Sequence, residues 1–310
     1  MVSGATTDAA MEAKMVIEVE GVVKRFGRRT ALAGVDLAVA AGEVVGVAGP
    51  NGAGKSTFIH LLLGLLRADG GSLRVLGHDP LGRRHLGATG WMPERPAFPP
   101  RRRVRDLVSF QAATFPRWDR SLAEEWVERL ELPMDDRAGD LSRGGLARLA
   151  LVFALAHRPR LLLLDDPTLG LDPSGRRLVM GEVLAAAAES GAGVLVATHL
   201  LAEAERSLDR LVLLAEGRVG FDEPVDALRE RHRRLRLPPG VEAPPELAAR
   251  QTAAGLVATR FDEPAWTALR RRHPEARAEA IDLEELYVAY TGRPVGEDVD
   301  EQDEAKGVAA

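Results

Sequence analysis

The chain has 310 residues, 45 % hydrophobic and 28 % charged, which suits one large folded domain with a smaller appendage. It contains no cysteine, which excludes disulfides and thiolate metal sites, and its formal net charge of −5 gives no global basic footprint for nucleic acid. No apolar run reaches the roughly 18 residues needed to span a bilayer, so a membrane role has to come through a partner.

Residues 1–14 are small and polar, without the basic-then-apolar pattern of a signal segment, and are expected to be disordered. Val16–Glu20 and Leu32–Val39 read as strands of a small antiparallel layer. Phe26, between them, is either a core aromatic or a platform for an adenine ring, and its position alone leaves both open. Glu43–Ala48 reads as a buried strand. It runs into Gly49, Pro50, Asn51, Gly52, Ala53, Gly54, Lys55, Ser56 and Thr57, and a helix opens at Lys55. This fits G-x-x-x-x-G-K-[ST], a loop whose amides form an anion nest at the positive end of a helix. Glycines at 49, 52 and 54 let the backbone turn and approach an anion without a Cβ in the way. Lys55 is the residue to reach the β- and γ-phosphates of a nucleotide. Ser56 is the hydroxyl for Mg²⁺, and Thr57 lies near the α-phosphate.

Asp69–Ser72 is a turn and Leu73–Leu76 a short strand, and another strand ends at Glu94. The segment from Pro99 to Leu132 changes character, with arginines at 101, 102, 103 and 105 followed by helical periodicity in which Leu122, Trp126 and Leu130 share a face. It reads as a helical subdomain, about residues 99–148, inserted into an α/β core. The arginine run is either a solvated loop or a docking surface for a partner. Leu141–Gly145 precede a strongly apolar helix. Leu161–Leu164 form a continuous apolar run ending in Asp165 and Asp166, as a central parallel strand covered on both faces would. Carboxylates at that strand's end belong at the ligand edge of the sheet. Asp165 is the natural Mg²⁺ partner, and Asp166 the group to position an attacking water. A helix from Pro173, a strand over Val194–Thr198 ending at His199, and a hairpin turning at Glu216 and Gly217 follow. His199 sits at the same sheet edge, where a γ-phosphate would lie. Residues 223–295 read as a small C-terminal module, and the acidic stretch 296–310 as disordered.

In this order, the phosphate loop, Leu141-Ser142-x-Gly144, the apolar strand with Asp165, Gly170-Leu171-Asp172-Pro173 and Thr198-His199 resemble the ATP-binding subunits of ABC transporters, over residues 16–222. The resemblance is greatest to the stand-alone ATPases of bacterial exporter-type systems. It implies a P-loop NTPase core with an antiparallel β subdomain, the inserted helical subdomain and a small α+β extension. It implies ATP and Mg²⁺ as cofactors, a second ATPase subunit and separate membrane permease subunits as partners, no nucleic acid, and a place on the inner face of the cell membrane. Phe26 then matches the adenine-stacking position, and Asp165 the Mg²⁺-directed aspartate. His199 matches the switch histidine, and Asp172 lies in the loop crossing the dimer interface. Leu141, Ser142, Arg143, Gly144 and Gly145 match the signature that grips ATP held by the opposite subunit. Three positions depart from the pattern. Glu94 stands where a glutamine is usual and is a further Mg²⁺ ligand candidate. Arg143 replaces a glycine, and either adds charge to the γ-phosphate grip or points outward. Asp166 replaces the catalytic glutamate and is one methylene shorter. That leaves a full hydrolase, a slow regulatory half of a heterodimer, and a non-transport ABC ATPase as readings.

Overall fold

A computed structural model describes residues 14–198, 208–252 and 255–291. The first two strands, β1 (Met15–Phe26) and β2 (Arg29–Ala40), pair antiparallel in a hairpin. They run longer than their apolar cores suggest, so Lys24 and Phe26 lie within β1 rather than in a connection. After β3 (Val44–Ala48) and α1 (Lys55–Leu62), β4 (Gly70–Val75) returns to pair with β1, giving a three-stranded sheet of order β2-β1-β4.

The central sheet takes β5 (Thr89–Met92), β6 (Leu161–Asp165), β7 (Gly193–Thr198), β8 (Arg210–Ala215) and β9 (Arg218–Pro224) into the order β5-β6-β7-β3-β8-β9. Its first five strands are mutually parallel, and β9 closes the edge as an antiparallel hairpin with β8. The apolar run of β6 is explained by its two faces. Leu161 and Leu163 join the core beneath α1 and the antiparallel sheet. Leu162 and Leu164 join the core on the opposite side. Alternate residues of a strand point to opposite faces, so a strand covered on both needs no polar position.

The second core also holds α2 (Val104–Thr114), α3 (Arg120–Arg129), α4 (Arg143–Leu155) and α5 (Pro173–Ser190). Trp126 and Leu130 of the α3 region are buried against it. The arginine run is partly consumed within the chain, since Arg105 and Arg103 lie 2.6 and 3.7 Å from Asp135.

Beyond β9 come α6 (Val225–Arg231), β10 (Arg233–Arg236), β11 (Ala249–Thr252), β12 (Gly255–Ala258), α7 (Glu263–Arg272), β13 (Arg277–Ala280) and α8 (Leu283–Thr291). Four of these form an antiparallel sheet of order β11-β12-β10-β13 around a small core with Leu235, Trp266 and Leu269. The module is not a separate bead on the chain. Leu283, Leu286 and Tyr287 of α8 pack into one cluster with Leu211 and Leu213 of β8. Tyr290 meets Phe221 edge-on and lies 3.1 Å from His232 Nε2.

Candidate functional site

Strand order brings the chemistry together. The loop after β3 and the carboxylates that end β6 lie at the same edge of the parallel sheet, with β7 between them. Ligands bind in parallel α/β sheets at this carboxyl edge. Across a sequence separation of 109 residues, the Ser56 hydroxyl donates to Asp165 Oδ1 at 3.1 Å. Two hard oxygen donors so placed suit Mg²⁺, which binds through one or two carboxylates plus substrate phosphates.

Gly52 and Gly54 have φ of +77° and +109°, so these two glycines meet a backbone demand that other residues resist. Gly49 is different. A Cβ there would lie 2.2 Å from the Leu214 carbonyl oxygen, so strand packing requires that glycine. Lys55, 6 % exposed, folds back on the loop and donates to the carbonyls of Gly49 at 2.7 Å and Pro50 at 3.3 Å. Burial lowers its pKa, while Asp166, Asp165 and Glu94 pull the other way. The ammonium is held among carbonyls and carboxylates, and incoming phosphate oxygens would replace the carbonyls.

Asp165 and Asp166 are both buried. Burial raises the Asp165 pKa against the lowering effect of Ser56, with Asp166 and Glu94 raising it further. The folded value therefore lies above the unfolded one. Stability falls as pH rises through the folded value, and the ionised carboxylate costs stability at neutral pH. Asp165→Asn is thus expected to raise the melting temperature of the nucleotide-free protein at pH 7, with the gain fading as pH falls toward protonation of the wild-type group. Each 1 kcal/mol corresponds to about 2–4 °C in a domain of this size. A thermal melt at pH 7 that is unchanged or lower counts against this.

Asp166 sits at φ +43° directly before Pro167, a conformation that asparagine and aspartate tolerate better than most residues. Its N–H donates to Ala197 O at 2.8 Å and its carbonyl accepts from Leu169 N at 3.0 Å, which pins the turn. His199 lies outside the described residues.

A cleft of about 400 Å³ is lined by Phe26, Arg29, Lys55, Thr57, Glu94 and Asp166, among others. Phe26 is 48 % exposed, so it is not a core aromatic. The Lys24 ammonium stands 5.2 Å from its ring centroid and is tied to Arg67 O at 2.8 Å. Lys24 and Arg29 escape a reading of sequence alone. Their signal is the hairpin register, which pairs Phe26 with Arg29 and brings Arg29 Nη2 to 3.4 Å from Gly52 O. Glu94 is half-buried, and its carboxylate pairs with Arg95 at 3.2 Å.

The segment Leu141–Gly145 does not line this cleft among the described residues. Ser142 caps α4, its Oγ accepting from Gly145 N at 3.1 Å, and its O–H remains available to donate. Asp172 likewise caps α5, accepting from Gly175 N at 2.6 Å. Ser142, Arg143, Gly144, Gly170 and Asp172 line a second cleft of about 440 Å³.

The family profile described as "ABC transporter" matches residues 32–169. The Nod factor export ATP-binding protein I of Rhizobium sp. (strain N33) is 38 % identical over 71 % of this chain and 74 % of its own length. The daunorubicin/doxorubicin resistance ATP-binding protein DrrA of Streptomyces peucetius is 34 % identical over 90 % of this chain and 93 % of its own. An aliphatic sulfonates import ATP-binding protein, SsuB of Ralstonia nicotianae (strain ATCC BAA-1114 / GMI1000), is 38 % identical over 75 % of this chain and 82 % of its own. Among solved structures, an ATP-binding subunit of an ABC transporter aligns with a TM-score of 0.62 at 28 % identity, over 69 % of this chain and 92 % of that one. The ATP-binding cassette MJ0796, as a post-hydrolysis dimer bound to ADP and Pi, aligns with 0.61 at 25 %, over 67 % and 98 %. A phosphate loop on β3 facing an acid pair on β6, in a chain alike to these proteins over most of their length, places this chain in the family of ABC transporter ATP-binding proteins, as an ATPase.

Proposed function

We propose that two copies of this chain, or this chain and a close relative, pair head to tail around two Mg-ATP and drive separate permease subunits from the inner face of the membrane. The observation that carries this is the separation of the two half-sites. The phosphate cleft and the Ser142 cleft share no lining residue on one chain, which suits a phosphate held in the first and met by the second where two chains face each other. The dimeric state of MJ0796 supports the pairing. Nod factor export relatives favour export as the direction, over the sulfonate import relative.

In this reading Lys55 exchanges the Gly49 and Pro50 carbonyls for the β- and γ-phosphates. Ser56 and Asp165 hold Mg²⁺, with Glu94 near by, and the ion when bound offsets charge on those phosphates. Phe26 stacks the adenine, steadied by Lys24 beneath it. Asp166 takes the proton of the attacking water, and His199 contacts the γ-phosphate. ATP joins the pair because both chains grip it, and hydrolysis removes the joint. Purified Asp166→Asn protein is expected to shift from monomer to dimer in sedimentation when Mg-ATP is added, and Ser142→Ala or Lys55→Ala to block the shift. A monomer at saturating ATP would sink the pairing.

The permease subunit docks, in this reading, near an apolar groove of about 340 Å³ lined by Trp91, Phe98, Phe115 and Phe153. Arg101 and Arg102 lie just beyond Phe98 in the chain, and both are exposed. Changing both to Ala is expected to weaken assembly with the permease subunits in detergent extracts while leaving ATP binding untouched. Unaltered assembly would remove the arginines from the interface.

A further inference from the structure

Arg143 opens α4 between Ser142 and Gly144. It is exposed and, among the described residues, its side chain has no hydrogen bond or ion pair. Its guanidinium rests against Gly170, where a Cβ would lie 2.9 Å from Nη1. It lines both the cleft shared with Ser142 and Asp172 and a smaller one, of about 320 Å³, shared with Glu94 and Pro167. An arginine stem held against backbone with no anion at its head is a cation ready for a ligand. The phosphate cleft leans the other way, because Glu94, Asp165 and Asp166 all act on Lys55, and the further cation on its lining is Arg29. Triphosphate adds more negative charge, and Asp166 is a short base.

We propose that Arg143 acts in trans, placing its guanidinium on the γ-phosphate of the ATP held by the partner subunit. The proposal rests on the head-to-tail pairing above. A phosphate drawn to the Ser142 hydroxyl and the Gly144 amide comes within reach of the residue between them, and guanidinium matches phosphate in a two-point grip. In the reaction the water oxygen bonds to the γ-phosphorus, and the bond to the bridging oxygen breaks with its electrons leaving on ADP. The water's proton passes to Asp166. Arg143 transfers no proton and stabilises the charge that develops.

The test is the ATPase activity of purified variants and of equal mixtures. Arg143→Ala is expected to lose about 10²- to 10³-fold in kcat, with ATP affinity of the isolated subunit unchanged. Arg143→Lys should recover part of the rate. Mixing Arg143→Ala with Lys55→Ala rebuilds one complete site, from the phosphate loop of the first chain and the Arg143 of the second. That mixture is expected to run well above either variant alone, at about half the rate of wild type mixed with Lys55→Ala, which also holds wild-type pairs. Full kcat in Arg143→Ala overturns the proposal. So does a mixture as slow as Arg143→Ala alone, which would make Arg143 a prop for its own Gly170 loop or a partner of its own Glu94. If wild type mixed with Lys55→Ala is no faster than its remaining wild-type pairs account for, one complete site does not turn over, and the readout is ATP-driven pairing in the Asp166→Asn background. There Arg143→Ala must raise the protein concentration for half-pairing at least about tenfold, or the proposal falls. Failure of Asp166→Asn itself to pair removes the pairing instead, so the two failures are distinguishable.

Discussion

The Asp166→Asn variant is expected to lose about 10²- to 10⁴-fold in the kcat of ATP hydrolysis, the range for removing a general base, while ATP binding holds or tightens. Asn keeps the shape of the side chain, so the turn pinned by Ala197 O and Leu169 N is undisturbed. It removes one of the three carboxylates that act on Lys55, which favours an incoming polyanion. Asp166→Glu separates two effects. At φ +43° the longer side chain is less well tolerated, a cost of about 1–2 kcal/mol that the ground state and the transition state share. That cost falls on the melting temperature. The added methylene carries the carboxylate on the order of 1 Å further, and misplacement of that size is worth about 10²-fold in rate. The glutamate variant is therefore expected to melt lower and hydrolyse faster. Steady-state ATPase assays with Mg²⁺ on the three proteins decide the matter. Equal rates for wild type and Asp166→Asn would strip Asp166 of its role. A silent wild type beside an active Asp166→Glu would instead favour the slow half of a heterodimer.

Gly49→Ala is the second large effect. Its Cβ would meet the Leu214 carbonyl oxygen at 2.2 Å and the Ala53 Cβ at 3.1 Å. Neither neighbour is a flexible side-chain end. Overpacking against side chains costs about 1–3 kcal/mol, and the backbone carbonyl of a sheet strand as the nearer neighbour puts this case at the upper limit. At about 2–4 °C per kcal/mol, the melting temperature should drop by about 6–12 °C. ATP binding should fall with it, because the loop can relieve the clash only by leaving β8. Gly52→Ala is the control. It carries the left-handed strain at φ +77°, but its nearest neighbour is the movable end of Arg29 at 3.0 Å. Its cost is about 1 kcal/mol. If Gly49→Ala melts no lower than Gly52→Ala, strand packing is not what requires the glycine.

Local interactions were readable before any fold was known. A strand, a glycine loop and a helix follow one another within some twenty residues, and the hydrogen bonds of the loop and helix close within a turn, so Gly49–Thr57 could be read as a phosphate loop. The unbroken apolar run of β6 announced a strand covered on both faces, because alternation disappears when both faces are dry. Pro173 announced a helix start, which Asp172 caps. Tertiary structure decided what depends on strand order and register. It set β7 between β3 and β6, and so brought Ser56 to Asp165. It turned Phe26 outward with Lys24 at its ring and Arg29 at the loop. It paired Arg103 and Arg105 with Asp135, and it seated α8 on the ATPase sheet. Most of these join residues far apart in the chain, and the contact of Lys24 with Phe26 depends on the strand that holds both. A window of sequence records periodicity and hydrogen-bond partners a few residues away, whereas contacts across a sheet arise only when the whole chain has chosen which strands lie side by side.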